Sequence, residues 1–198
     1  MRIWSTAPVF GTMILVLTGS LSAQDEKKVE LKVGDAAPVF SATDDQGKPW
    51  KSAELVGKKH VVVYFFPAAF TSGCRAQAQK FRDNMNALNE KGIVVIGISG
   101  DAVMTHALFK KAEKLNFTLL ADEDGSIAKK FGVPLGKGGV VRTKDSDGMI
   151  LELKREVTAS RWTFIIGLDG KIAYKNTKVN PAEDSKQVGA FIEKLQQK

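Results

Sequence analysis

The chain has 198 residues, 43% of them hydrophobic, which is enough apolar material to build one packed domain. Its net charge of +7 is spread over scattered pairs such as Lys58 and Lys59 or Lys110 and Lys111, not gathered into a basic stripe, so no nucleic-acid partner is expected. The single cysteine excludes an internal disulfide and leaves that thiol either inert or reactive.

Residues 1–23 have the layout of a secretory signal peptide. Arg2 is their only charge, residues 7–17 are mostly apolar, and Ser22 and Ala23 close the segment with small side chains. The apolar run is short for a membrane span, although an uncleaved anchor is the alternative. No cysteine follows it to accept a lipid. Cleavage after Ala23 leaves residues 24–198 as one domain in the periplasm or outside the cell, with no stable membrane association. N-terminal sequencing of the exported protein is expected to begin at or near Gln24.

Residues 24–31 are charged and read as a flexible leader. Residues 39–43 and 48–51 read as two short strands joined by a turn over residues 44–47, which ends in Gly47. Ser52 is positioned to cap a short helix over residues 53–56, closed by Gly57. His60 opens the next strand and is expected at the surface.

Residues 61–66 are six apolar or aromatic residues in a row, the pattern of a strand buried on both faces. Pro67 ends it, because proline lacks an N–H donor and fixes φ. Thr71, Ser72 and Gly73 read as a turn and helix cap. The helix that follows has Ala76, Phe81, Met85 and Leu88 as its expected inner face and ends near Lys91 and Gly92. Cys74 falls in its first turn. A helix N-terminus carries unpaired N–H groups and a partial positive charge, both of which favour thiolate, the reactive form. Thr71 is spaced to bring a hydroxyl beside the sulfur. A buried structural cysteine is the alternative, but a strand's carboxyl end is where α/β folds build their sites.

A second apolar strand spans residues 93–99, completing a right-handed strand–helix–strand unit. Asp101 is positioned to cap a helix to about Leu115, with Val103, Ala107, Leu108 and Ala112 facing inward. His106 lies on this helix with no second ligand in register and reads as structural. Residues 117–120 form a short strand. The acidic run 121–126 lacks the spacing of a calcium loop and reads as a capped turn before a helix ending at Gly132. Within 134–158, residues 140–143 and 149–153 suggest a hairpin turning at 145–148. Residues 158–172 read as a strand, a tight turn at Asp169 and Gly170, and a return strand. A last amphipathic helix starts near Asn180, with Val188, Phe191, Ile192 and Leu195 inward.

The pattern Pro67-x-x-x-Thr71-x-x-Cys74 resembles the active-site motif of the peroxiredoxins, thiol peroxidases of thioredoxin-like fold. Residues 74–83 look most like the peroxiredoxin Q, or bacterioferritin comigratory protein, branch. Gly34-x-x-x-Pro38 resembles the family's entry into its first strand, and Arg161-x-Thr163-Phe164-x-Ile166-x-x-x-Gly170-x-Ile172 is similar to its closing hairpin. Together the resemblance covers roughly residues 33–174, and against it residues 134–158 look like a longer insertion. It implies a single thioredoxin-like α/β domain: a central mixed sheet flanked by helices, with an N-terminal β-hairpin. It also implies that Cys74 attacks the peroxide, Thr71 orients it, Arg161 holds the thiolate and Pro67 shields the sulfur. An arginine suits that role because its guanidinium keeps its proton and donates several hydrogen bonds.

No metal, flavin or haem cofactor is implied. The implied substrate is hydrogen peroxide or an organic hydroperoxide, and the implied reductant is an external thiol or a thioredoxin-like protein; a monomer or homodimer is expected. Many members of the branch carry a second cysteine five residues after the first, and here that position is Gln79. This departure from the branch, with no other cysteine in the chain, points to a one-cysteine peroxidase. A thiol–disulfide oxidoreductase of the same fold would need a Cys-x-x-Cys pair, and a copper carrier two cysteines and a placed histidine. A non-enzymatic redox sensor or chaperone keeping Cys74 for signalling is the third alternative.

Overall fold

The computed structural model describes residues 1, 29–144 and 148–197. The expected signal peptide beyond Met1, most of the leader and residues 145–147 of the expected turn at 145–148 lie outside the described residues. The chain opens with the hairpin β1 (Ser41–Asp44) and β2 (Pro49–Lys51). Asp44 shapes its turn by accepting from the Gln46 and Lys48 amides at 2.9 and 2.8 Å. After a 3₁₀ turn at Ser52–Glu54 come β3 (His60–Phe65), α1 (Ser72–Glu90) and β4 (Ile93–Ser99). Next are α2 (Val103–Glu113), β5 (Thr118–Ala121) and α3 (Ser126–Lys130). A ribbon of β6 (Leu135–Lys144) and β7 (Ile150–Ala159) precedes the hairpin β8 (Trp162–Ile166) and β9 (Ile172–Asn176), and α4 (Asp184–Gln196) ends the fold.

Among the described residues, seven strands form one mixed sheet in the order β2-β1-β5-β4-β3-β8-β9. β3, β4 and β5 run parallel, whereas β8 runs antiparallel to β3 and pairs Tyr64 with Thr163. Alternation along β3 sends successive side chains into two cores. Val62 and Tyr64 meet Phe81, Met85 and Leu88 of α1, Phe109 of α2, and Val188 and Ile192 of α4. Val61, Val63 and Phe65 meet Phe40, Ile127, Phe131 and Phe164 on the opposite face. This is the expected fold, with both sheet faces covered. The parallel pair β3 and β4 with α1 between them delivers Cys74 to the strands' carboxyl end.

Several local expectations give way to tertiary contacts. Ser52 does not cap a helix; its hydroxyl accepts from the Phe40 amide at 2.9 Å and joins the 3₁₀ turn to the entry of β1. Asp101 does not cap α2, whose N-cap is Ala102; its carboxylate turns back to the Ala69 amide. The inner face of α2 is Thr105, His106, Phe109 and Glu113, while Ala112 is exposed and Val103, Ala107 and Leu108 are half-buried. Hydropathy favours the alanines, but buried polar partners reward the other face. On α1, Ala76 is half-buried and its place is taken by Gln77 and Ala78. His60 is buried and not at the surface. α4 starts four residues later than expected: residues 181–183 form a turn in which the Asn180 carbonyl accepts from the Glu183 and Asp184 amides.

The 134–158 segment is a longer ribbon than its central residues suggest. Its base packs against the chain just before α2, where a side chain at Gly100 would collide with the Val157 carbonyl. Asp101 also bridges to Arg155 of β7.

Candidate active site

Pro67 follows the end of β3 as expected, and residues 67–71 carry the chain from the sheet to α1. Two contacts hold this loop. The Ala69 amide donates to Asp101 Oδ2 at 2.7 Å, and Arg75 Nε donates to the Phe70 carbonyl at 3.1 Å. Phe70 sits at φ 64°, a left-handed conformation unfavourable for a bulky side chain by about 1–3 kcal/mol. Its ring is fixed by Phe109 at 5.2 Å between centroids and by the Arg75 guanidinium at 5.3 Å. The surrounding packing thus over-determines a strained loop, which aims the first turn of α1.

Thr71 occupies the N-cap position of α1, but its hydroxyl donates to the Ala68 carbonyl at 2.9 Å and caps no amide. With its proton engaged, the Thr71 oxygen faces any ligand as an acceptor. The first N–H groups of α1, including that of Cys74, have no partner within the helix. Cys74 itself is 1% exposed.

Arg161, which precedes β8, comes within 3.2 Å of Cys74 Sγ through its NH2 group. Its NH1 donates to Gln77 Oε1 at 2.6 Å, so both arms of the guanidinium fork are occupied. Gly73 leaves room for the approach, since a Cβ there would stand in a tight 3.3 Å contact with the guanidinium. Cys74 and Arg161, 87 residues apart in sequence, are therefore side by side, and a cation that keeps its charge faces the sulfur. Arg75 points away, to Glu113 of α2 at 3.1 Å. Gln79 donates to the same carboxylate at 2.7 Å, so the position five residues after Cys74 ties α1 to α2.

Three further groups near the thiol escape the sequence reading. Gln77 Nε2 donates to Asp184 Oδ2 at 2.7 Å, and Thr163 Oγ1 donates to the same oxygen at 2.8 Å. Burial raises the Asp184 carboxyl above its usual range, against the two hydrogen bonds and the Arg161 charge. Burial also pushes the Tyr64 phenol well above its ordinary value, with negative charge at Cys74 and Asp184 adding to the effect and Arg161 opposing it. Tyr64 therefore stays neutral, stacked on Phe81 at 4.9 Å. The i+3 spacing of Gln77 from Cys74, on one helix face, is a signal that could have found it. Asp184 and Tyr64 have no such local signal.

Beneath the loop lies a buried polar chain. Ser99 Oγ donates to Asp101 Oδ2 at 2.8 Å, which leaves His106 Nε2 to donate to Ser99 Oγ, also at 2.8 Å. His106 is structural, as the sequence suggests. Burial pulls it down from 6.5 to about 4 despite the nearby Asp101 carboxylate. Unfolded His106 takes up a proton near pH 6.5 and folded His106 only near 4, so protons favour the unfolded chain between those values. Its contribution to stability is complete above pH 6.5 and is lost as pH falls toward 4. The melting temperature is expected to drop from pH 7 to pH 5, and His106→Gln to flatten that dependence. Equal slopes for both proteins would remove His106 from the account.

Residues 33–175 match the model of the AhpC/TSA family. Peroxiredoxin Bcp of Escherichia coli (strain K12) is 40% identical over 144 residues, covering 73% of this chain and 84% of the relative. The chloroplastic peroxiredoxin Q of Oryza sativa subsp. japonica is 35% identical over 163 residues, covering 82% of this chain and 66% of the relative. Among solved structures, peroxidoxin BcpB from Mycobacterium tuberculosis superposes with a TM-score of 0.68 at 27% identity, over 84% of this chain and 99% of that one. With a thiol at the head of α1 and relatives of this extent, the chain belongs to the AhpC/TSA family and is a peroxiredoxin related to the Bcp and peroxiredoxin Q proteins.

Proposed function

We propose that this protein is a one-cysteine thiol peroxidase that reduces hydrogen peroxide or organic hydroperoxides and is recycled by an external thiol. The contact that carries the reading is Arg161 NH2 at 3.2 Å from Cys74 Sγ. The Cys74 thiolate attacks the near oxygen of the peroxide. The O–O bond breaks, the near oxygen stays on sulfur with its hydrogen as sulfenic acid, and the far oxygen leaves as hydroxide or alkoxide, which takes a proton from solvent to become water or alcohol. Arg161 holds the thiolate and donates to the peroxide as negative charge moves onto the leaving oxygen. Thr71 accepts the peroxide's hydrogen and orients it. The free N–H groups of the first turn of α1 add to the same polar cradle, and Pro67 shields the sulfur from bulk water.

Regeneration needs two thiols from outside, because the chain has no second cysteine. The first condenses with sulfenic acid, releasing water and forming a mixed disulfide. The second displaces Cys74, leaving an external disulfide. A small thiol or a thioredoxin-like protein supplies this chemistry.

The test is peroxide consumption by purified protein with a panel of thiol reductants. Turnover is expected only when a thiol is present. Excess peroxide without thiol should inactivate the enzyme and add the mass of two oxygen atoms to Cys74, the sulfinic state. Sustained turnover with no added reductant would rule the mechanism out.

A further inference from the structure

Asp184 begins α4 and is 0% exposed. Burying a carboxylate is costly unless strong partners compensate it. Its hydrogen bonds come from two neutral donors, Gln77 and Thr163, both on Oδ2, while Oδ1 has no hydrogen-bond partner among the described residues. Both donors lead toward the thiol. Gln77 lies one helical turn after Cys74 and accepts from Arg161, and Thr163 lies two residues after Arg161 on β8.

The Gln77 amide gives this arrangement a direction. It offers one acceptor oxygen and one donor NH2, whereas a carboxylate only accepts and a guanidinium only donates. Between Asp184 and Arg161 a single orientation satisfies both neighbours: Nε2 toward Asp184 and Oε1 toward Arg161. A flipped amide would set N–H against N–H and oxygen against oxygen. We propose that Asp184 is a positioning residue for peroxide reduction, acting through Gln77 to lock the Arg161 guanidinium with its NH2 on Cys74 Sγ. Asp184 touches neither sulfur nor substrate. The proposal rests on reading Cys74 as the thiol that attacks peroxide.

The test follows two rates: oxidation of Cys74 by hydrogen peroxide, and alkylation of Cys74 by iodoacetamide as a function of pH. Asp184→Ala frees the amide and loosens Arg161. Oxidation is expected to slow by about tenfold to a hundredfold, and the alkylation profile to move to higher pH. Loss of a nearby negative charge alone would move that profile to lower pH. A downward shift, or no change in either rate, overturns the proposal. Asp184→Asn keeps an oxygen able to accept from Gln77 and Thr163, and should recover most of what alanine loses. In a Gln77→Ala background, Asp184→Ala should add nothing further, because the path is already cut. Additive losses would mean that Asp184 only anchors α4.

If Asp184→Ala fails to fold, an exchanged pair carries the question. Gln77→Glu sets two carboxylates face to face and should slow oxidation. Adding Asp184→Asn restores a donor opposite Glu and should return the rate to near wild type. A pair no faster than Gln77→Glu alone overturns the proposal. Alkylation is read without peroxide, so the two readings fail separately. A protein inert to peroxide whose alkylation profile moves as stated refutes the peroxidase reading alone. An active peroxidase with an unmoved profile refutes the role of Asp184 alone.

Discussion

Cys74→Ser is expected to reduce peroxide consumption to the uncatalysed background while leaving the fold intact. In the proposed mechanism every electron passed to peroxide leaves through one sulfur, and the chain holds no other thiol to substitute for it. A serine hydroxyl fits the same space and can still accept from Arg161, so the substitution removes chemistry more than packing. It cannot reach the sulfenic state, because oxygen has no corresponding oxidation step. A colorimetric peroxide assay with a saturating thiol reductant measures the loss, and circular dichroism checks the fold. In the wild-type protein, one equivalent of peroxide should make Cys74 reactive toward a sulfenic-acid trap. Full activity in Cys74→Ser would end the argument for thiol chemistry.

Arg161→Ala should slow Cys74 oxidation by about 10²–10³-fold, the range found when one preorganised donor to a developing negative charge is removed. The loss has two parts. Sγ loses the charged donor at 3.2 Å, and Gln77 Oε1 loses its partner at 2.6 Å. Arg161→Lys is expected to recover little, since an ammonium is a point charge and cannot serve both acceptors as a planar fork does. Stopped-flow measurement of single-turnover oxidation reads the effect before any reductant is involved. An unchanged rate in Arg161→Ala would mean that the observed contact does not take part in the chemistry.

Sequence and structure divide along the range of the forces involved. The apolar run of β3, its stop at Pro67 and the amphipathic repeat of α1 are written in neighbouring residues, and these alone carry Cys74 to a helix N-terminus. The hairpin of β1 and β2 and the turn at Asp169 and Gly170 are legible for the same reason. Arg161 enters the site from the sequence only through the resemblance of residues 161–172 to a known family. Its approach to sulfur depends on β8 pairing antiparallel to β3, a register that no local pattern states.

Where the sequence misleads, the residues are polar ones that turn inward. Hydropathy puts Ala107 and Ala112 on the inner face of α2, where the structure has Thr105, His106 and Glu113. Asp101 looks like a helix cap and instead holds the loop before α1 through the Ala69 amide. Asp184, 107 residues from Gln77, gives no sign of its contact. What the sequence determined by itself was the strand, its stop and the helix that carry Cys74, together with the tight turns, features set by steric preference and apolar runs over a few residues. What only the tertiary structure decided was which polar groups are buried and what they face, because a buried donor or acceptor is stable only beside its partner, and that partner is supplied by a distant part of the chain.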